Sequence, residues 1–234
     1  MSKVISFSLW GNDPKYTEGA VRNAEIAAEL FPDWECWLYC GTSVDDDFYR
    51  NFNIELHEEF DGKTVLYGHN LQIHILDEPG DWRGMFWRFE PASDPNVEVM
   101  ISRDCDSRLS QREKAAIDAW MESDKGFHTI HDHAYHTVPI LGGLWGKKRD
   151  CLPEFGVLLS QWKQEDRWQT DQEFLTQSIW PLVHSDTLNH AEFHVNIWHG
   201  ESIPMHRNGR EFIGATYNEN DVIDPEQQRL LYGG

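Results

Sequence analysis

The sequence is poor in cysteine, in basic side chains and in long apolar runs. Its four cysteines, Cys36, Cys40, Cys105 and Cys151, form no C-x-x-C pair and no zinc-ribbon spacing. That argues against a disulfide framework and for free thiols in a reducing compartment. Lysine and arginine total 20 against 40 acidic residues, a net charge of −20. A field of that sign repels phosphate backbones and anionic lipid, so neither nucleic acid nor a membrane is expected as a partner. No run approaches 18 apolar residues, and the opening MSKVISFSLW has no long apolar signal core. A soluble, cytoplasmic protein without membrane insertion is the expectation. Repeats, low-complexity tracts and linkers are also missing, so residues 1–234 read as a single domain.

What is present suits a packed domain. Apolar residues make up 40% and aromatics 13%, with 11 tryptophans among 234 residues. That is enough for a sizeable core, and it leaves tryptophans to wall a planar or sugar-like ligand. KVISFSLWG reads as a strand over Val4 to Leu9. Asp13 and Pro14 read as the cap and first position of the helix that follows. DWECWLYCG reads as a second strand, giving a β-α-β unit with a right-handed crossover. DDDFYRNF suggests a short helix, and NLQIHILDEP, VEVMISRD and FHTIHDH suggest further strands. In SQREKAAIDAWMES, Ser110 and Glu113 are spaced as a capping box. TDQEFLTQSIWPL reads as a helix stopped by Pro181, and the polar tail from Ile203 yields no element. Alternating strands and helices predict an α/β fold. The turns after Leu9, Cys40 and Arg103 then share the rim where such sheets bind ligands.

The stretch ISRDCDSRLS sits on that rim. On extended chain, Asp104 and Asp106 would point to the same side. Two such carboxylates repel unless a cation lies between them. Mg²⁺ or Mn²⁺ fits, because each takes one or two carboxylates and fills its other positions with phosphate oxygens and water. The alternative is a plain turn in which one acid caps the next helix. Arg103 and Arg108 flank the pair, and Arg83 and Arg88 precede it. Guanidinium groups suit diphosphate oxygens, although any of the four could serve in a structural ion pair.

GMFWRFEP, ISRDCDSRLSQREKAAIDAWMES, HTIHDHAYHTVPILGGLWG and TDQEFL together resemble small nucleotide-sugar glycosyltransferases of the GT-A type. The resemblance is closest to compact domains found in capsule and surface-polysaccharide clusters and in large algal viruses. It is strongest from Trp82 to Gly146. It implies a GT-A (Rossmann-like), mixed, mostly parallel sheet flanked by helices, with a nucleotide-binding N-terminal part and an acceptor-binding C-terminal part. It implies that Asp104 and Asp106 are the D-x-D element, Asp106 being the direct metal ligand and Asp104 also lying near the ribose. Ser8, Leu9 and Trp10 would border the base, and Arg83, Arg88 and Arg103 are candidates for donor contacts. LGGLWG would border the acceptor pocket, where Gly142 and Gly143 permit close backbone approach. Cys105, between the acids, departs from the common pattern but can act as a small hydrophobe.

Inverting transfer to a hydroxyl needs a base beside the acceptor oxygen. Asp171, opening DQEFLTQSIW, is the first choice, with a helix cap as its alternative role. Asp132 and Glu173 follow it. His131, His133 and His136 cluster in HDHAYH without a zinc spacing, and Asp132 and His133 read better as lining beside the acceptor loop. His199 is a weaker choice for a third metal ligand. The sequence therefore points to a hexosyl- or pentosyl-transferase of undecided stereochemistry. Its donor would be a UDP, GDP or dTDP sugar, its acceptor a glycan, and its cofactor Mn²⁺ or Mg²⁺. A metal-dependent nucleotidyltransferase or phosphohydrolase, or an inactive glycan- or protein-binding module of the same fold, is the alternative.

Overall fold

The first strand, β1 (Ser2–Leu9), is buried on both faces from Val4 onward, as a strand inside a parallel sheet must be. In the computed structural model, which describes residues 1–60 and 63–231, it pairs in parallel with two neighbours. These are β2 (Glu35–Cys40) and β6 (Val97–Ser102). Helix α1 (Pro14–Leu30) crosses from β1 to β2, capped by Asp13, which accepts from Lys15 N at 3.0 Å. The remaining strands are β3 (Ile54–Phe60), β4 (Lys63–Gly68), β5 (Leu71–Ile75), β7 (Phe127–His131), β8 (Trp145–Lys148) and β9 (Thr187–Ala191). The sheet order is β3-β4-β5-β2-β1-β6-β8-β7-β9. Strands β5, β2, β1 and β6 form a parallel core. The β3-β4-β5 and β6-β8-β7 pairings are antiparallel, and β9 runs parallel to β7. This is an α/β fold with a mixed sheet flanked by helices, as the sequence predicts.

Each face of the sheet has its own core. On one, α1 and α2 (Gln111–Glu122) bring Phe31, Ile117 and Trp120 against Ile5, Phe7 and Ile101. Ser110 caps α2 by accepting from Glu113 N at 3.1 Å, as its spacing predicts. On the other face a 3₁₀ helix, Trp82–Ser93, packs Phe86 and Phe89 against Trp145, Phe155 and Phe174.

Three features differ from the sequence reading. The β3–β4 hairpin went unread because IELHEEF is exposed and acidic and lacks the apolar alternation of a half-buried strand. GMFWRFEP forms the 3₁₀ helix. Pro181 does not stop its helix. The α-helical turn Thr170–Phe174 widens into a π-helical turn, Leu175–Ile179, and Pro181 lies in the first turn of the next segment, Trp180–Val183. A π turn accommodates there the ring that would clash with a regular α-helical carbonyl. Among the described residues no helix is long and apolar enough to cross a membrane. All four cysteines are free.

Candidate active site

Because β1, β2 and β6 run in parallel, their carboxyl ends meet on one rim. A cleft of about 690 Å³ opens there. Its lining includes Ser8, Leu9 and Trp10 at the end of β1, Asp104 and Asp106 after β6, and Arg88 from the 3₁₀ helix. His133, Gly142, Gly143 and Asp171 complete the part anticipated from sequence.

The acids do not lie on extended chain. Strand β6 ends at Ser102, and Asp104 O accepts from Ser107 N at 3.2 Å and from Ser107 Oγ at 2.8 Å, closing a turn. Both side chains still line the cleft. Cys105, between them, turns inward with Sγ 3.2 Å from Ser8 O. Burial pushes its thiol pKa well up, so it remains an inert small hydrophobe. Asn23 on α1 fastens the turn. Its Nδ2 donates to Ser107 O at 2.8 Å and to Cys105 O at 3.3 Å, and its Oδ1 accepts from Leu109 N at 3.0 Å. One turn earlier, a side chain on Gly19 would strike Cys105 O, so glycine lets α1 touch the acid turn.

Each acid has its own cation. Asp106 pairs with Lys15 at 2.7 Å, and Asp104 pairs with Arg88. Burial, then the Asp104 charge, hold the Asp106 carboxyl above its ordinary range against the pull of Lys15. Arg88 is buried, and its fork also reaches Asp171 at 2.8 Å. Its backbone N–H donates to Ser8 Oγ at 2.9 Å. Arg88 thus ties β1, through its backbone, to the acid turn and the helical turn Thr170–Phe174, through its guanidinium. Asp171 is buried, and that burial raises its carboxyl pKa. Gln169, not Asp171, occupies the N-cap position of this helix. The loop after β7 presses against the same groups. A side chain on Gly142 would strike Asp171 and Arg88, and one on Gly143 would strike the Asp104 carboxylate.

Other sequence choices lie elsewhere. Arg103 is buried beneath the rim, pairs with Glu113 and donates to Trp145 O at 3.2 Å, so it serves the core and not the cleft. Arg83 is exposed and pairs with Asp81 at 2.5 Å, outside the lining. Asp132 is fully buried and saturated. It accepts from Arg112 at 3.0 and 3.1 Å, Arg207 at 2.7 Å and Ile213 N at 2.9 Å. No lone pair remains for an acceptor hydroxyl, so Asp132 anchors the tail instead of acting as a base. Glu173 is bound to Arg167 outside the cleft, and His199 is exposed outside it as well.

The histidines keep separate hydrogen-bond partners, although the His133 and His136 rings lie 5.8 Å apart. His131 meets Val138 O at 3.0 Å, His133 meets Gln227 O at 2.9 Å, and His136 accepts from Asp132 N at 3.1 Å. Burial lowers the pKa of all three. Among the described residues, no group of three or more His, Cys, Asp or Glu side chains is placed to hold a metal ion. The zinc reading therefore falls. The Asp104–Asp106 donor set suits a hard divalent ion that completes its shell with phosphate and water, since both acids line the cleft and each already attracts a cation.

Several lining residues escaped the sequence reading. Lys15, Tyr16 and Gln172 are among them, and so are Phe212, Gly214, Thr216 and Gln227 of the tail. Lys15 had a usable signal, since a capped helix that starts on the ligand rim places its first turn there. The tail had none, because Asp132 holds it across 81 residues.

No protein-family model matches the sequence, and no curated protein matches it. Solved structures do. A glycosyltransferase involved in the glycosylation of the major capsid of PBCV-1 is similar at TM-score 0.51 and 12% identity, over 87% of this chain and 91% of that one. The galactosyltransferase LgtC, in complex with donor and acceptor sugar analogs, is similar at TM-score 0.49 and 12% identity, over 80% and 73%. A mannosyltransferase from Pyrobaculum calidifontis, in complex with GDP-Man and Mn²⁺, is similar at 0.48 and 12%, over 82% and 55%. At this identity the first likeness is one of fold, and it bears out the GT-A architecture.

Proposed function

We propose that the chain is a metal-dependent glycosyltransferase. It moves a sugar from a nucleoside-diphosphate sugar of the UDP, GDP or dTDP type to a glycan hydroxyl in polysaccharide biosynthesis. The observation that carries this reading is the Asp104–Arg88–Asp171 bridge beside Asp106, all in one cleft at the carboxyl ends of parallel strands. Asp104 and Asp106 would hold Mn²⁺ or Mg²⁺, which when bound acts as a Lewis acid toward the departing diphosphate. Ser8 to Trp10 border the nucleotide, and Lys15 offers a flexible positive charge beside Asp106. Arg88 is buried between two carboxylates, so it fixes them in place and is not a free phosphate ligand. Asp171 is a buried carboxylate facing the cleft with its basicity raised, suited to take the proton of an acceptor hydroxyl in inverting transfer. Gly142, Gly143 and His133 form the acceptor side. The N-terminal part then binds the donor, and the C-terminal part closes over the acceptor.

A panel of nucleotide sugars, with and without Mn²⁺, tests this. The expected result is metal-dependent release of free nucleoside diphosphate, falling by about a thousandfold in Asp106→Asn, as losing several kcal/mol of charge stabilisation implies. Release of a sugar phosphate would instead identify a hydrolase. Glycan binding with no response to nucleotide would identify a binding module.

A further inference from the structure

Among the described residues, every aromatic side chain left exposed lines this one cleft: Tyr16, Trp82, Tyr135 and Trp168, at 38, 43, 56 and 65% exposure. The other tryptophans, tyrosines and phenylalanines whose side chains are described are buried or half-buried. Exposed rings scattered over a surface would need no explanation, but rings gathered at the mouth of a cavity do. Tyr16 belongs to the donor end, since it follows Lys15, the partner of Asp106. Trp168 belongs to the other end, and Trp82 stands between the two, its ring edge-on to that of Trp10 at 6.4 Å. Trp82 N donates to Asp166 Oδ1 at 3.2 Å, which brings the loop carrying Trp168 onto the start of the 3₁₀ helix. Gln169, directly after Trp168, sits at φ 65°, a left-handed conformation that is costly for a residue with a side chain. Two residues further on is Asp171. The chain thus turns sharply to leave an indole in solvent on the rim of the cleft that Asp171 also lines.

We infer that Trp168 forms an acceptor subsite that stacks on the apolar face of an uncharged saccharide. The inference rests on the transferase reading. Flat amphipathic rings suit the C–H face of a pyranose and leave its hydroxyls to water. Charge selects the neutral class. The cleft lining carries Asp13, Asp104, Asp106 and Asp171 but only two cations, Lys15 and Arg88, and both are already paired. The nearby Arg167 is bound to Glu165 and Glu173. A uronate, sialate or phosphate on the acceptor would meet no free positive charge there and would face carboxylates.

The test measures nucleoside-diphosphate release with the active donor, with no acceptor and with a panel of neutral and anionic oligosaccharides, for wild type, Trp168→Ala and Trp168→Phe. Neutral oligosaccharides should raise release above the acceptor-free rate. Trp168→Ala should raise the acceptor KM about tenfold, the size of one stacking contact, with acceptor-free release unchanged and Trp168→Phe recovering most of the loss. An unchanged acceptor KM in Trp168→Ala, or stimulation by anionic oligosaccharides alone, overturns the subsite and leaves the transferase reading standing. Absence of acceptor-free and acceptor-dependent release from every donor overturns both.

Discussion

The cleft has two walls of different construction. The strand-end wall, Ser8 to Lys15 with Asp104 to Ser107, consists of strand ends, a capped helix start and a turn fastened by Asn23. The loop wall, Asp132 to Gly143 with the chain beyond Ile203, contains no long element. It hangs on Asp132, which gathers Arg112, Arg207 and Ile213 N, and Arg112 in turn donates to Met205 O. The first wall is held by regular backbone geometry, by the Asn23 amide and by Arg108, which donates to Ser107 O at 2.8 Å and Cys105 O at 3.3 Å. The second is centred on one buried carboxylate and its cations, and its tail is tied further to the acid turn by Tyr217 N, which donates to Asp106 O at 2.7 Å, and by the Arg108–Asp221 pair at 2.8 Å.

Substitutions can separate the two walls. Asp132→Asn should have the largest effect. It removes the negative partner of a buried arginine, Arg112, and a half-buried one, Arg207, so chemical denaturation should show a loss of about 3–5 kcal/mol. Nucleotide binding with Mn²⁺ should survive below the melting temperature, because the strand-end wall does not use Asp132. Acidification should act on the same side of the molecule. Burial lowers His131 and His190, at the ends of β7 and β9, to about 4. The unfolded chain therefore takes up protons that the folded chain refuses. Their contribution is complete above about pH 6.5 and is lost as pH falls toward 4, costing about 2 kcal/mol per histidine between pH 7 and 5. Melting temperatures across that range would record it. Asn23→Ala reverses the pattern. Leaving Leu109 N unpaired, and Ser107 O and Cys105 O with Arg108 as their remaining donor, should cost about 2 kcal/mol, and it should weaken metal-dependent nucleotide binding more than any acceptor effect. The smallest change is expected from Lys15→Met. Removing the resident cation of Asp106 should tighten Mn²⁺ binding alone by about threefold, read by manganese electron paramagnetic resonance, since the pair is part-exposed.

The same contrast explains what the sequence reveals. Strand β1, Asp13 with Pro14, and the Ser110 cap announce themselves through local patterns of apolar residues and turn chemistry. Asp104 and Asp106 were legible as a pair because they follow an apolar strand, and Asp171 because it opens a helix. Arg103 was misassigned because a guanidinium beside an acid pair reads alike whether it faces a phosphate or a core glutamate. Only the packing of Glu113 against it decides the matter. Asp132 was misassigned for a similar reason, since its partners lie 20, 75 and 81 residues away. Aromatics can be counted from sequence, but the exposed ones around the cleft cannot be picked out, because exposure belongs to the folded chain.

The central claim is that Asp104 and Asp106 share one divalent ion that grips a nucleoside diphosphate. Its most direct test is the thermal shift of the wild type and Asp106→Asn with Mn²⁺ and UDP, GDP or dTDP, added singly and together. A ligand specific for the folded state raises stability by mass action. The account predicts a shift for at least one nucleotide that needs both components and vanishes in Asp106→Asn. A nucleotide shift that is the same without metal, or that persists in the variant, would contradict it.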